Sequence, residues 1–333
     1  MLSYRPPVYT PDKKWSALRY FRLFGYVVVK DIYKDPSTLT KNLNNQIFEY
    51  FENAGLGFDR TEKNTWSDSK HYPTDGLGAT QFNSGFHGIY HLPAQYDLRL
   101  DEGAQTWWQF MWENMTGDKD IELWARFERI NFMPPSSDIK GKMTKEAFLH
   151  WDQNANVNSK FSHFQAVFSI TDTDIETGTF VCVPRSHLSD FSVLNKEWAA
   201  KSIKTMVNVP LDYKRMWDER IALELKAGEM VIWDGRLCHG NSPNHSINRY
   251  RLVAYPTMMR VPITKTQREH ASQERWRIFN GGLLVPGNYR EAFGSGYTRP
   301  QWKQVSRGNV KNGAPLNYTP RILTDRESKL IGD

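Results

Sequence analysis

The chain of 333 residues contains only two cysteines, Cys182 and Cys238. Two thiols are too few for a disulfide framework, and they indicate a reducing compartment. No apolar run approaches the roughly 18 residues that a membrane-spanning helix needs. The N-terminus also lacks the apolar core of a secretory signal peptide. The sequence therefore predicts an intracellular, cytoplasmic protein without a membrane span.

The chain has no charge imbalance outside its C-terminal part. The formal net charge is +6, and residues 261–333 carry all of the excess, with 12 Lys and Arg against 6 Asp and Glu. These basic residues are scattered along the segment, whereas nucleic-acid sites cluster them on one face. The pattern favours a solvated surface over a nucleic-acid interface. We expect a small-molecule partner, and the oligomeric state is left open.

Short hydrophobic segments separated by Gly and Pro turns dominate the second half of the chain. Repeated short strands at this spacing are typical of a β-sandwich or barrel. Helical spacing of apolar residues occurs mainly before and after them. The predicted strands are 26–30, one or two within 121–133, 150–154, 164–170, 179–184, 221–225, 229–233 and 249–258. The predicted helices are 14–24, 38–53, 102–115, 195–204 and 266–279.

These patterns are described most economically by one domain over residues 1–333. Its parts are an N-terminal helical and strand flank (1–133), a β-rich core with the candidate metal site (134–260) and a basic, irregular extension (261–333). Residues 1–14 are predicted as an irregular arm. Residues 56–100 are predicted as long loops with short pieces of structure. Together with 186–220, this loop region is where we expect substrate specificity to be determined.

One pair of segments carries the candidate chemistry. His150 and Asp152 are two residues apart, and His239 follows 89 residues after His150. On an extended strand, residues i and i+2 point to the same face. A second strand can bring His239 to the same ion. Two imidazoles and one carboxylate on one side of a metal form the facial triad of non-haem Fe(II) oxygenases, which leaves the other side open for a co-substrate and O2.

An arginine beyond the distal histidine points to the co-substrate. Iron oxygenases that use 2-oxoglutarate bind its keto-acid end to the metal, so its far carboxylate needs a buried cation. A guanidinium can bind that carboxylate through two hydrogen bonds. Arg249 and Arg251 follow His239 by ten and twelve residues and are predicted to share one face of a strand. Arg251 precedes the apolar run of residues 252–255 and is preferred, with Arg249 as the alternative.

Two further segments complete a recognisable combination with the His150-x-Asp152-Gln153 motif. Residues 228–234 form a Gly turn and an apolar strand that leads to His239-Gly240, and residues 178–187 form a Gly-started strand ending in Val-Pro-Arg-Ser-His. Together they resemble the phytanoyl-CoA dioxygenase family of Fe(II)/2-oxoglutarate-dependent oxygenases. The segment 24–30 also looks like that family's N-terminal opening.

The resemblance implies a mainly β fold with flanking helices, a double-stranded β-helix (jelly roll, cupin-like). It implies an Fe(II)/2-oxoglutarate-dependent dioxygenase that hydroxylates a small organic substrate, with Fe(II), 2-oxoglutarate and O2 as cofactor and co-substrates. By it, His150, Asp152 and His239 bind iron and act in catalysis, and Arg251 or Arg249 binds 2-oxoglutarate. Ser186 and His187 would sit beside the cavity. Arg185 departs from the family pattern, which has Gly there.

Two other functions stay open at this point. The chain could be a jelly-roll protein that binds nucleic acid or another protein and has an inert metal site. It could also be a cupin-type metalloenzyme that works without 2-oxoglutarate. A buried arginine for the co-substrate tail separates the second alternative from the oxygenase.

Other residues are weaker candidates. His87 and His91 have the i, i+4 spacing of metal ligands on a helix, but no Glu follows His87 and the surroundings are Gly-rich. Core or loop packing is the expected role of the remaining histidines and of the tryptophans that flank the motifs. Cys238, beside His239, is expected to be a packed thiol, with oxidation as the alternative. The residues in question are His163, His187, His245, Trp151 and Trp233.

Overall fold

The computed structural model describes residues 1–66, 68–73, 85–135, 149–199, 206–283, 309–310 and 313–333. The helices are α1 (Lys14–Phe24), α2 (Pro36–Asn53), α3 (Pro93–Leu100), α4 (Glu102–Thr116), α5 (Lys196–Trp198), α6 (Lys214–Asp218), α7 (Lys265–Gly281) and α8 (Asp325–Ile331). The strands are β1 (Leu2–Tyr4), β2 (Val8–Tyr9), β3 (Tyr26–Val29), β4 (Phe86–His87), β5 (Leu123–Ala125), β6 (Ile130–Met133), β7 (His150–Trp151), β8 (Phe164–Ser169), β9 (Phe180–Cys182), β10 (Val207–Asn208), β11 (Ile221–Leu223), β12 (Met230–Asp234), β13 (His239–Asn241), β14 (Arg251–Ala254) and β15 (Met258–Arg260).

Most of these strands form two large sheets. The six-stranded sheet has the order β1-β11-β9-β13-β7-β10, and the seven-stranded sheet has the order β2-β3-β12-β8-β14-β6-β4. The described pairs are antiparallel, except that β1 joins β11 and β2 joins β3 in parallel. Strands β5 and β15 form a separate pair. The protein is thus mainly β with flanking helices and has a jelly-roll fold with open, mixed sheets, which confirms the predicted fold class.

The side chains of β12 show how the layers are built. Successive residues of a strand point to opposite faces, and here Val231 and Trp233 enter the apolar layer between the two sheets. Met230 and Ile232 face the opposite side, where they join a large cluster that includes residues of α1, α2 and α4. Both faces of this strand are buried, which explains why its sequence is a continuous apolar run rather than an alternating one.

The outer face of the six-stranded sheet has its own cover. A third apolar cluster contains Leu149, Trp151 and Val181 from the sheet and, among others, Phe191 and Met216 from the segment that crosses it. The described part of residues 186–220 therefore packs behind the sheet. We expected this segment to determine specificity, but its described part lies on the face of the sheet opposite to His150.

Helix α1 occupies the predicted residues and ends where predicted. Gly25 adopts a left-handed conformation with φ of 83°, and its backbone N–H donates to the Phe21 carbonyl at 2.7 Å. A β-carbon at Gly25 would also lie 2.5 Å from Nδ1 of His187, so both conformation and space require glycine here. None of the helices in the described ranges is both long and apolar enough to cross a membrane.

Several local predictions were wrong. Residues 2–4 and 8–9 are strands rather than an irregular arm. Residues 93–100, in the region predicted as long loops with short pieces of structure, form α3, which was not located in advance. Helix α8 near the C-terminus was missed. The apolar positions of these segments are few, so tertiary pairing rather than local pattern determines them. The predicted helix at 195–204 begins earlier, as a π-helical turn over Phe191–Asn195, and residues 200–205 lie outside the described part.

His87 and His91 do not share a helix face. His87 lies in β4, and His91 is a buried loop residue whose two ring nitrogens are both hydrogen-bonded. Nδ1 of His91 lies 2.6 Å from the Tyr96 hydroxyl, and Nε2 lies 2.7 Å from the Leu283 carbonyl. Burial lowers the pKa of each histidine to about 3. His91 is therefore a neutral core residue that ties α3 to the end of α7, and the i, i+4 spacing is coincidental.

Acid should destabilise the fold because His91 is buried in its neutral form. Its folded pKa of about 3 lies below the unfolded value of 6.5, so the unfolded chain binds a proton that the folded chain does not. Stability should be full above pH 6.5 and fall as the pH drops towards 3. His91→Gln should reduce the slope of unfolding free energy against pH in this window by roughly one proton equivalent. Urea unfolding at several pH values measures it, with exposed His245→Gln as control; an unchanged slope for His91→Gln would contradict the analysis.

Candidate metal centre

Strand β7 is two-faced. Leu149 and Trp151 are buried in the cluster on the outer face of the six-stranded sheet. His150 and the residue that follows the strand, Asp152, point the other way, towards the seven-stranded sheet. The alternation of apolar and polar residues at 149–152 thus fixes the direction of both polar side chains.

Strand pairing brings the distal histidine to the same place. In the antiparallel pair β7–β13, His150 and His239 are direct partners, and β13 also pairs Cys182 with His239 on its other side. Side chains of directly opposed residues lie on one face about 5 Å apart. The two imidazole rings have centroids 4.5 Å apart. A register shift of one residue would turn His239 to the outer face and separate the two rings.

The three side chains converge on one point. Nε2 of His150 lies 3.4 Å from Oδ1 of Asp152, and Nε2 of His239 lies 3.5 Å from Oδ2 of the same carboxylate. One nitrogen or oxygen from each of the three residues lies within 4.8 Å of the others. Ligand atoms bound to a single metal ion are spaced on this scale, because each would be about 2.0–2.2 Å from the ion.

The electrostatics favour the protonation states that a metal requires. Burial alone would raise the pKa of Asp152, but the two imidazoles and the Gln165 amide outweigh it, so the pKa of the carboxyl lies well below its ordinary value. Burial, with help from the neighbouring His150, lowers the pKa of His239 to about 4. At neutral pH the site therefore presents a carboxylate and a neutral His239 imidazole, the forms that bind metal.

A backbone carbonyl orients His239. Its Nδ1 lies 3.0 Å from the Leu237 carbonyl oxygen, which can only accept a hydrogen bond, so Nδ1 carries the proton. The lone pair is then on Nε2, the nitrogen that faces Asp152. Metal-binding histidines commonly use their other ring nitrogen in this way.

Two supporting residues were missed by sequence reasoning. Gln165, on β8, donates from Nε2 to Oδ2 of Asp152 at 2.6 Å. Asn195 is completely buried; its Oδ1 accepts from the Ala155 N–H at 2.8 Å, and its Nδ2 donates to the Gln153 carbonyl at 3.0 Å. Asn195 thus holds the loop directly after Asp152. A signal for Gln165 was available, since it is a polar residue inside the apolar run 164–170.

The Val-Pro-Arg-Ser-His segment braces the strand that carries His239. Ser186 Oγ accepts from the Cys238 N–H at 2.8 Å, and His187 Nε2 lies 3.2 Å from the Arg22 carbonyl at the end of α1. Arg185 has φ of 69°, the left-handed conformation that favours glycine. Its N–H donates to the Phe24 carbonyl at 2.9 Å. The turn keeps a glycine-type backbone although an arginine occupies it, at some cost in backbone strain.

The two candidate arginines lie in different environments, contrary to the prediction that they share a face. Arg251 is fully buried on β14; its Nη1 donates to Asn131 Oδ1 at 2.6 Å and its Nη2 to Asn241 Oδ1 at 3.0 Å. Asn241 lies two residues after His239, on the same strand. Among the described residues, no carboxylate pairs with Arg251, and its Nε has no hydrogen-bond partner.

Arg249 is already neutralised by other residues. It lies outside β14, its side chain is 46% exposed, and it forms ion pairs with Asp174 at 2.7 Å and Glu176 at 2.8 Å. A guanidinium with two carboxylate partners at the surface has little capacity left for a third. Arg249 thus lacks the unpaired charge that a binding site for an anion needs.

The remaining candidates are distributed around this arrangement. Trp233 lies beside it, with its ring centroid 5.1 Å from that of His239, whereas Trp151 is packed on the opposite face. Cys238 is buried in the outer cluster, away from the metal face, and Cys182 is buried between the sheets. Burial raises the pKa of both thiols. Both cysteines are thus packed, protonated thiols. His163 is buried against Ser162, and His245 is exposed.

Comparison with known families now bears on this geometry. The sequence model of the phytanoyl-CoA dioxygenase (PhyH) family matches residues 21–252, a range that contains His150, Asp152 and His239. The chain belongs to the phytanoyl-CoA dioxygenase family. Members of this family use Fe(II), 2-oxoglutarate and O2 and act on small molecules. The chain is therefore a non-haem iron, 2-oxoglutarate-dependent oxygenase, which confirms the predicted enzyme class and cofactors.

Individual relatives are distant. The chain is 22% identical over 244 residues to Ava biosynthesis cluster protein O of Aspergillus versicolor, which covers 69% of this chain and 73% of that protein. A putative oxidoreductase from Salmonella typhimurium LT2 superposes with a TM-score of 0.60 at 14% identity, covering 98% of this chain and 86% of the other. Hypothetical protein JW0805 from Escherichia coli gives 0.57 at 15% identity, covering 89% and 83%. At these identities the structural matches support the shared fold.

Replacing Asn195 should loosen the loop after Asp152. Asn195→Leu leaves the Ala155 N–H and the Gln153 carbonyl buried without partners, which should lower the free energy of unfolding by about 2 kcal/mol. Chemical denaturation of the metal-free protein measures this change. Val157→Ala, at an exposed position of the same loop, is the control and should change stability by less than about 0.5 kcal/mol. Equal stability of Asn195→Leu and the parent would show that the two hydrogen bonds of Asn195 do not contribute to folding.

Proposed function

We propose that this protein hydroxylates a C–H bond of a small organic substrate, with His150, Asp152 and His239 as the iron ligands. The overall reaction converts substrate, 2-oxoglutarate and O2 into hydroxylated product, succinate and CO2. The observation that carries the proposal is the convergence of two imidazoles and one carboxylate within 4.8 Å of one another.

The donor set fits ferrous iron. Two histidine nitrogens and one carboxylate oxygen are the ligands of the facial triad, and three ligands on one side leave the remaining positions for a co-substrate, O2 and water. The acid favours hydroxylation over halogenation, because a small residue at position 152 would leave room for a halide. When bound, the iron supplies the oxidising chemistry, while the protein supplies binding, orientation and electrostatics.

Arg251 is proposed to hold the far carboxylate of 2-oxoglutarate. A buried guanidinium without an anionic partner is costly, and an incoming carboxylate would remove that cost. Its link to Asn241 places the guanidinium near the strand that carries His239. The free Nε also gives the arginine an unused donor for the carboxylate. Asn131 and Asn241 hold the guanidinium so that it is oriented before the ligand arrives.

Surrounding side chains are proposed to keep water from the reacting atoms. Phe180 and Trp233 pack against His239, with ring centroids 5.8 Å and 5.1 Å from the imidazole, and both are buried between the sheets. His150 and Asp152 are more open, with 14% and 21% of their side chains exposed. The substrate would therefore approach from the side of His150 and Asp152, and Trp233 would form the inner wall.

The substrate is proposed to be a small organic molecule rather than a macromolecule. Family members act on small molecules. The relative from Aspergillus versicolor takes its name from a biosynthesis cluster, which is consistent with a small product. Membership of an enzyme family that uses 2-oxoglutarate argues against both alternatives raised by the sequence, the binding protein with an inert site and the cupin enzyme without 2-oxoglutarate.

Removing the carboxylate ligand should abolish turnover. With Fe(II), 2-oxoglutarate and O2, the parent protein should release succinate, and Asp152→Ala should reduce the release to the background without protein, because two imidazoles alone hold iron poorly. Succinate quantified by mass spectrometry provides the measurement. Asp172→Ala, at an exposed carboxylate paired with Lys226, is the control. Normal 2-oxoglutarate turnover by Asp152→Ala would refute the ligand assignment.

Replacing each arginine singly with glutamine should show which of the two binds 2-oxoglutarate. Arg251→Gln should weaken 2-oxoglutarate binding roughly 10- to 100-fold, the effect of losing a hydrogen-bonded charge partner. Arg249→Gln should leave the Kd unchanged within about twofold, since its charge is already paired. Calorimetric titration of anaerobic, Fe(II)-loaded protein gives both constants, and the thermal midpoint checks folding. Arg251→Lys, which keeps the charge but loses the planar fork, should be intermediate. A larger rise in Kd for Arg249→Gln than for Arg251→Gln would assign the far carboxylate of 2-oxoglutarate to Arg249.

A further inference from the structure

We propose that Gln165 is a positioning residue that holds one oxygen of Asp152 and leaves the other oxygen for the metal. This inference rests on the proposed metal ligands and goes beyond them, because it names the residue that controls how the carboxylate coordinates. It concerns metal affinity and coordination geometry rather than the oxidation step.

The contact that carries the proposal is short and specific. Nε2 of Gln165 donates to Oδ2 of Asp152 at 2.6 Å. The other carboxylate oxygen, Oδ1, lies 3.4 Å from Nε2 of His150 and has no bond to Gln165. Oδ2 lies 3.5 Å from Nε2 of His239, but the amide occupies one of its acceptor positions, so Oδ1 is the oxygen that we expect an ion to prefer. The expected coordination by Asp152 is therefore through one oxygen.

The position of Gln165 explains how it reaches Asp152. It lies on β8, where it pairs with Trp233 of β12, and it shares the inner face of that strand with Val167. That face looks across the layer between the sheets towards the six-stranded sheet, where Asp152 follows β7. Strand β8 is anchored on both sides by β12 and β14. The amide is thus presented from a rigid element, as precise control of a ligand requires.

The amide is a poor choice if its role were only to fill space. Its nitrogen must face the carboxylate, because a carbonyl oxygen there would be repelled. Its own oxygen, Oε1, is then buried, and it has no hydrogen-bond partner in the described part of the chain. A buried, unsatisfied acceptor costs about 1–3 kcal/mol. An apolar residue of similar length would avoid that cost but would leave Oδ2 of Asp152 without its amide donor, so the contact with the carboxylate accounts for glutamine at this position.

Residues that contact a metal ligand from behind typically change metal affinity by 10- to 100-fold when they are replaced. Gln165→Met keeps the length of the side chain and removes the donor. Without the amide, the carboxylate group of Asp152 can rotate, and both of its oxygens can then coordinate the ion. We expect weaker binding and a shift from one-oxygen towards two-oxygen coordination.

The experiment uses Co(II) as the probe on the full-length, metal-free protein. The Kd is measured by titration, and the visible absorption spectrum of the Co(II) form reports the coordination geometry. Gln165→Met is compared with Ser169→Ala, which lies on the same face of β8 and whose buried hydroxyl also lacks a partner among the described residues. Gln165→Leu is a second variant in case methionine disturbs packing, and thermal unfolding of each metal-free protein checks that it folds.

The proposal predicts a Kd for Co(II) raised roughly 10- to 100-fold in Gln165→Met and an altered visible spectrum, in a metal-free protein that still unfolds cooperatively. Ser169→Ala should match the parent in both metal readouts. A folded Gln165→Met or Gln165→Leu protein with the parent Kd and spectrum overturns the role of Gln165 alone. Failure of the parent itself to bind Co(II), or parent-like binding by Asp152→Ala, overturns the ligand assignment and this proposal with it.

Discussion

The backbone pairing of His150 with His239 is the interaction on which the centre depends. Two residues 89 positions apart in sequence become cross-strand neighbours, and their rings lie 4.5 Å apart because of that register. Asp152 follows two residues after His150 and so points to the same side. Neighbouring contacts stabilise this register. Ser186 accepts a hydrogen bond from the backbone N–H of Cys238, next to His239, and Trp151 packs in the apolar cluster on the outer face of β7.

Charge is distributed unevenly across the layer between the sheets. The carboxylate of Asp152 is surrounded by two imidazoles and an amide. Arg251 faces the same layer from the other sheet, donates to two amide oxygens and has no carboxylate partner in the described part of the chain. Such an arrangement has one buried anion that suits a cation and one buried cation that suits an anion. In the function proposed above, a metal ion and a dicarboxylate would supply these two complements.

The sequence was most informative where local pattern and final environment agree. Helix α1 and strand β12 have apolar spacing that matches their buried faces, so their bounds could be predicted closely. The His-x-Asp pair could be found because period-two alternation needs no tertiary information. The partner of His150 could be placed only by resemblance, since register between distant strands is a tertiary property.

Other features were beyond local reasoning. Strands β1 and β2 have two or three residues each and exist only because β11 and β3 offer edges to pair with. Arg249 and Arg251 follow His239 by similar distances, and the structure separates them by the burial of Arg251 and by the ion pairs of the exposed Arg249. Gln165 and Asn195 act through contacts with residues 13 and about 40 positions away. A polar residue within an apolar strand is the one signal that could have indicated Gln165.

The pairing of the N-terminal strands β1 and β2 affects the order in which contacts can form during synthesis. Strand β2 joins β3 in parallel, some twenty residues later, and can pair as soon as the connecting helix α1 and β3 are made. Strand β1 joins β11, beginning with Leu2 opposite Ile221. Because synthesis proceeds from the N-terminus, Leu2 is made more than two hundred residues before its partner Ile221. One edge of the six-stranded sheet is therefore closed by the strand pair with the largest sequence separation among the described pairs, and such contacts form slowly.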